Sequence, residues 1–321
     1  MSAPGQVLAL SGGGGGARLA HGLSMVCEPG ALTVCCNVGD DFEHLGLSIS
    51  PDIDTVLYTL SDLADRERGW GLSGETWGFM SALARLKAEA WFLMGDQDLA
   101  THVERSRRLA AGETLSEATM ALADSLGITA RVLPVTDDRL RTIVETSEGD
   151  LEFQHYFVRE QCRPTVTGLR YGGAAQARLS PVVRDLLAGD DLAAIILCPS
   201  NPFLSVRPML AVAELESRLK ARRAPVVAVS PIIGGQAVKG PLARIMEQMD
   251  LAVSPLGIAR LYPGLIDGLM IDGEDQALAP AIRELGVAVE VGPILMRDDE
   301  GRRGLAERAL AFADRLEVGL S

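Results

Sequence analysis

Gln6-Val-Leu-Ala-Leu-Ser-Gly-Gly-Gly-Gly-Gly-Ala-Arg18 begins as a short apolar run and ends in a block of five glycines. Downstream, Leu19, Leu23 and Val26 recur at helical spacing, which predicts a helix over residues 17–26. Leu32-Thr-Val-Cys-Cys36 then reads as a second buried strand and runs into Asn37-Val-Gly-Asp-Asp41. A strand, a glycine loop, a helix and another strand form a βαβ unit, the building block of parallel sheets.

The rhythm returns late in the chain. Apolar runs at 193–198, 226–229, 265–271 and 287–291 alternate with helical patterns near 207–220, 240–249, 276–285 and 303–316. Between the two halves, helical stripes at 54–64, 75–89 and 114–126 follow one another without strands, so residues 61–127 read as a helical insertion. Residues 142–146 and 151–158 flank Ser147-Glu-Gly-Asp150, the pattern of an antiparallel hairpin over 141–158 at the sheet edge. The expectation is one α/β domain over residues 1–321, a doubly wound, mostly parallel Rossmann-like sheet between helical layers.

Composition narrows the function. The chain has 321 residues, and 43 acidic against 30 basic side chains give a net charge of −13. That balance argues against a broad footprint for nucleic acid or an anionic membrane, while a small phosphorylated substrate stays open. Cys27, Cys35, Cys36, Cys162 and Cys198 show no C-x-x-C spacing, which disfavours zinc and suits a reducing compartment. The opening Met-Ser-Ala-Pro-Gly5 lacks a basic n-region, and no apolar run reaches ~18 residues, so a cytoplasmic protein without membrane spans is expected.

The glycine block sits where backbone N–H groups and a helix N-terminus can meet a phosphate. No Lys-Ser/Thr follows it, which excludes a Walker A loop, and a bare tight turn is the alternative. Asp40 and Asp41 follow the second strand, and Ser50-Pro-Asp-Ile-Asp-Thr55 opens the next helix, where Asp52 or Asp54 could be the N-cap. Loops at the carboxyl edge of a parallel sheet converge, so both acidic pairs can reach the glycine block. Carboxylates beside a phosphate call for a hard cation, and magnesium is the natural one. Cys198-Pro-Ser-Asn-Pro202, Ser230-Pro-Ile-Ile-Gly-Gly235 and Lys239-Gly-Pro241 also stand at strand ends. Trp70 and Trp77 are either core or a platform for a planar ring. His21, His44, His102 and His155 form no triad pattern, and no G-x-S-x-G elbow is present.

In order along the chain, S-G-G-x-G-G-A-R, N-V-G-D-D, S-P-D-I-D-T-V-L-Y-T-L, G-D-Q-D-L-A-T-H, P-S-N-P, S-P-I-I-G-G and V-K-G-P resemble the phospholactate transferase (CofD-type) family of coenzyme F-420 biosynthesis. The resemblance implies transfer of a phosphorylated three-carbon acid (2-phospho-L-lactate, phosphoenolpyruvate or phosphoglycerate) from a guanosine diphosphate carrier. The acceptor would be the ribityl hydroxyl of the deazaflavin Fo, with GMP released. By similarity, Asp40 and Asp52 would hold Mg²⁺, and Asp54, with Thr55, would meet the ribityl end of Fo. Gly12, Gly13, Gly14, Gly15 and Gly16, with Ser200 and Asn201, would hold the guanosine diphosphate part, and a homodimer is implied. Relatives often read G-D-R-D where Gln97 stands here, and carry Lys or Arg at the position of Leu93. The competing expectation keeps the fold without chemistry, as in related regulatory proteins that bind nucleotide sugars. A Rossmann oxidoreductase is a more distant third.

Overall fold

In a computed structural model that describes residues 5–238 and 240–317, β1 (Gln6–Ser11) and β2 (Leu32–Cys36) pair in parallel, with α1 (Gly13–Val26) crossing between them. Lys239, of the V-K-G-P segment, lies outside the described residues. Nearly every residue of both strands is buried, as parallel strands covered on two faces require. The sheet grows from this pair in two directions. β3 (Arg131–Pro134) adds beside β2, while β4 (Leu192–Leu197), β5 (Val226–Val229), β6 (Gly268–Ile271) and β7 (Ala288–Val291) extend from the other flank of β1.

The resulting order, β7-β6-β5-β4-β1-β2-β3, is parallel at every pairing. This is the doubly wound, Rossmann-like sheet expected from the apolar runs. Growth reverses between β1 and β4, and loops leaving their carboxyl ends part there to open a crevice.

Between β2 and β3 the chain forms α2 (Pro51–Leu60), α3 (Gly78–Arg85), α4 (Asp96–Ala110) and α5 (Leu115–Ser125). The helical stripes at 54–64, 75–89 and 114–126 correspond to α2, α3 and α5. Nothing in the apolar pattern announces α4, which is held by charge instead. Asp96 and Asp98 occupy its first turn, and Glu104 pairs with Arg107 and Arg108 at 2.8 Å each. Phe42, Ile49, Met80 and Met94 form a small second core here, joined by Trp77, Trp91 and Phe92.

The hairpin forms but does not lie at the edge of the central sheet. Arg141–Thr146 pairs with Gly149–Glu152 on one side and with Val166–Gly172 on the other, giving a separate three-stranded antiparallel sheet. Its inner face closes on a cluster of its own, Val144, Tyr156 and Val166. The second expected strand stops at Glu152, because burying Tyr156 coils the chain into a helical turn over His155–Arg159. All five cysteines are unpaired thiols. Among the described residues, no helix is long and apolar enough to cross a membrane.

Candidate active site

At the switch point the protein encloses a cavity of about 650 Å³. Gly12 sits at its floor, where a Cβ would lie 2.4 Å from the Ser205 Cβ and 2.7 Å from Asp52 Oδ2. Only glycine fits that approach. The Gly12 N–H donates to Ser200 Oγ at 3.1 Å, which ties the loop after β1 to the loop after β4. Gly13, with φ of +66°, starts α1 and donates its N–H to Asp52 Oδ1 at 2.7 Å. Gly12 occupies the N-cap position and has no side chain to cap with, while Gly13, Gly14 and Gly15 line the cavity. The positive end of α1 therefore opens onto it, with the Gly12 and Gly13 N–H groups engaged by Ser200 and Asp52 and the next glycines of the first turn lining the cavity. Gly16 faces away from the cavity, and a Cβ there would crowd Ser11 Oγ at 2.6 Å and Ser200 Oγ at 2.8 Å. Arg18 also lines the cavity and, among the described residues, forms no ion pair.

Asp40 and Asp52 arrive from different loops and meet at Asn37. The Asn37 Nδ2 donates to Asp40 Oδ1 at 3.3 Å and to Asp52 Oδ2 at 2.9 Å. From the helical turn after the hairpin, Gln154 Nε2 donates to the other Asp40 oxygen at 3.1 Å. Burial pushes both carboxyls up: Asp40 well above the usual range, with the Asp52 charge adding to the effect, and Asp52 to about 6. Among the described residues no Arg or Lys pairs with either one. Two buried carboxylates without a counter-charge are a fitting donor set for a hard divalent cation. Among the described residues, no three His, Cys, Asp or Glu groups cluster in a metal-binding arrangement. Substrate oxygens and water would fill the remaining positions, the coordination Mg²⁺ prefers. Asp41 turns aside to accept from Ser50 Oγ at 2.8 Å, and burial pushes its carboxyl to about 7 despite the charge of Arg141.

Neither Asp52 nor Asp54 is the N-cap of α2. Ser50 holds that position and Pro51 follows, which puts both acids in the first turn. Asp54 is gripped by Arg105 of α4, whose Nη1 donates to Asp54 Oδ2 at 3.1 Å while Nη2 donates to Oδ1. His102 lies between two acids, with Nδ1 3.6 Å from Asp54 Oδ2 and Nε2 3.3 Å from Asp98 Oδ2. Tyr58 donates its hydroxyl to Asp98 Oδ1 at 2.6 Å. Burial pushes Asp98 up, yet His102 and Tyr58 together outweigh it and hold that carboxyl below its ordinary range.

The opposite wall is aromatic. Trp70 lines the cavity with Trp91, Phe92, Phe153 and Phe157, whereas Trp77 does not. Trp77 packs into the small second core and meets Trp70 edge-on at 6.1 Å. The Arg68 guanidinium lies 4.8 Å from the Trp70 ring and 5.2 Å from that of Trp77, bracing the pair. Thr55 lines the cavity and donates its hydroxyl to Pro51 O at 2.7 Å. Ser200 and Asn201 line it too, but the Asn201 side-chain oxygen Oδ1 caps the next turn by accepting from the Phe203 and Leu204 N–H groups. Leu93 is a lining residue; Gln97 is not, and donates to Gly74 O at 3.1 Å.

Sequence reasoning missed Asn37, Gln154, Asp98, His102 and Arg105 as members of this site. The last three carried a readable signal, since their spacing of i, i+4 and i+7 puts them on one helical face. Gln154 carried none, because only the docking of the helical turn after the hairpin brings it to Asp40.

A switch-point cavity with an open helix N-terminus, an unpaired acidic dyad and aromatic lining residues stands at the carboxyl edge of a doubly wound α/β sheet, where such folds place their ligands. The chain belongs to the CofD family, described as 2-phospho-L-lactate transferase, whose profile matches residues 7–295. It is 36% identical over 321 residues to the phosphoenolpyruvate transferase of Kitasatospora aureofaciens, covering 98% of this chain and 99% of that protein. The 2-phospho-L-lactate transferase of Methanosarcina mazei is 36% identical over 301 residues, covering 94% and 98%. Among solved structures, protein BH3568 of Bacillus halodurans shares the fold, with a TM-score of 0.64 at 13% identity, covering 96% of this chain and 100% of that one. Family membership makes the protein a transferase.

Proposed function

We propose that the protein acts in coenzyme F-420 biosynthesis, moving a phosphorylated three-carbon acid from its guanosine diphosphate carrier to the ribityl hydroxyl of Fo. The products are GMP and coenzyme F-420-0 or its dehydro form. The supporting observation is that one cavity is lined both by the glycine-rich start of α1 and by a set of aromatic rings. That division suits one diphosphate substrate and one planar substrate.

The chemistry is an in-line displacement. The Fo hydroxyl oxygen forms a bond to the phosphorus that carries the acid, the diphosphate bridge breaks, and GMP leaves with the bridging electron pair. The Gly14 and Gly15 amides in the first turn of α1 bind phosphoryl oxygens, and Arg18 adds a cation for the donor's anionic groups. Asp40 and Asp52 would hold Mg²⁺, which when bound offsets charge on the diphosphate. The rings of Trp70, Phe153 and Phe157 stack on the deazaflavin and keep water from the reacting phosphorus. Asp54 faces the acceptor hydroxyl, either accepting its proton or orienting it so that the proton passes to a phosphate oxygen of the departing GMP. Positioning by these groups supplies much of the rate enhancement.

An omission series tests the reading. GMP release should require Fo, Mg²⁺ and one of the guanylylated acids (lactate, enolpyruvate or glycerate type) together, and should vanish when any component is left out. GMP release that ignores Fo would mark a hydrolase and contradict the proposal.

A further inference from the structure

The cavity's carboxylates are of two kinds. Asp40 and Asp52 share one neutral amide and lack a cation, whereas Asp54 has both oxygens engaged by a single arginine. That arginine is fully buried and does not line the cavity. Arg105 therefore cannot touch a substrate, and whatever it does for the reaction passes through Asp54.

The geometry explains how the grip arises. Asp98, His102 and Arg105 follow one another up a face of α4, and Asp54 and Tyr58 do the same on α2. The two ladders mesh: Tyr58 with Asp98, His102 between Asp98 and Asp54, and Arg105 on Asp54. Arg105 Nη1 also lies 3.4 Å from Ser48 O, which anchors the guanidinium to the segment just before α2. A planar fork held this way sets the plane of the carboxylate as well as its place. Lysine, a point charge on a flexible stem, could supply the charge but not the plane.

We propose that Arg105 is a positioning residue for the transfer, locking Asp54 so that a fixed acceptor edge orients the incoming hydroxyl. The inference rests on the proposed function, in which Asp54 faces that hydroxyl. With its two oxygens already bound to a permanent cation, Asp54 serves as a fixed acceptor and not as a ligand of the metal held by the other pair. The competing view makes Arg105 a tether that merely pins α4 to α2.

A mutant cycle separates the two. Wild type, Asp54→Asn, Arg105→Met and the double variant are compared for kcat, for KM of both substrates and for melting temperature, at saturating Mg²⁺. A positioning role predicts that Arg105→Met lowers kcat by about 100-fold with both KM values unchanged. It also predicts that the double variant is no slower than Asp54→Asn alone. Arg105→Lys should recover part of the loss. If Arg105→Met folds poorly, the double variant still decides the matter, because it leaves no buried charge unpaired and is compared with Asp54→Asn. Independent, multiplying losses would overturn the proposal, as would wild-type kcat in a folded Arg105→Met variant. Wild-type protein that turns over none of the donors would instead overturn the functional reading and this inference with it.

Discussion

Asp40 and Asp52 carry the sharpest residue-scale expectations. Each lacks a cationic partner, and burial raises both carboxyls, Asp52 to about 6. An acid whose folded pKa is raised binds more protons folded than unfolded. It therefore costs stability as pH rises from its unfolded value near 4 through its folded one. The metal-free protein should melt progressively lower from about pH 4 through pH 6 and above. Added Mg²⁺ should raise the melting temperature more at pH 8 than at pH 5, and an equal gain at both would contradict the metal pair. Asp40→Asn or Asp52→Asn should largely abolish turnover, keep the fold, and regain some activity at high Mg²⁺. Wild-type Mg²⁺ dependence in both variants, read by kinetic titration, would eliminate the site. The two tryptophans separate in the same way. Trp70→Leu should raise KM for Fo more than for the donor, because Trp70 lines the cavity and Trp77 does not. Trp77→Leu should leave both KM values alone and cost about 1–2 kcal/mol in a thermal or urea melt.

At the scale of elements, the start of α1 and the α2–α4 contact do the most for function. Gly12→Ala drives a methyl into Ser205 and Asp52, so it should weaken donor binding by disturbing the helix start and the metal pair together. Calorimetry with the guanosine diphosphate carrier checks this, and unchanged affinity would remove the glycine loop from the site. Removing Arg105 strands the buried Asp54 charge, so Arg105→Met should cost about 3–5 kcal/mol, and adding Asp54→Asn should recover much of it. In urea melts, a near-wild-type Arg105→Met variant, or a double variant no more stable than Arg105→Met, would contradict this. These elements also show what a sequence reveals. β2 and β5 were legible because strands buried on two faces are continuous apolar runs, as in Leu32–Cys36 and Val226–Val229. β3 was not, having only four residues, one of them Pro134. α4 escaped because its stripe is made of charge. Taken singly, Arg105 looks no different in sequence from exposed Arg107, and only its spacing from Asp98 and His102 marks it, although one is fully buried and the other pairs with Glu104 in solvent.

For the whole molecule, the doubly wound order explains why residues scattered from Gly12 to Ser205 meet: each follows a strand whose carboxyl end faces the switch point, or lies on an insertion that folds over it. The glycine block, the acidic turns and P-S-N-P were readable because they sit directly at strand ends. Gln154 and Phe157 were not, since they sit on the helical turn that follows the hairpin, and the docking of that unit leaves no local trace. The family reading also implies a homodimer, and sedimentation at micromolar concentration should give twice the chain mass; a monomer mass would contradict that. The central claim is that this cavity joins two substrates. Its most direct test is the mass spectrum of Fo after incubation with the protein, Mg²⁺ and each guanylylated acid in turn. The account predicts that one donor converts Fo to a species heavier by the phosphorylated acid less water. Unchanged Fo with all three donors, together with tight binding of a nucleotide sugar, would contradict it and make the protein a ligand-binding regulator.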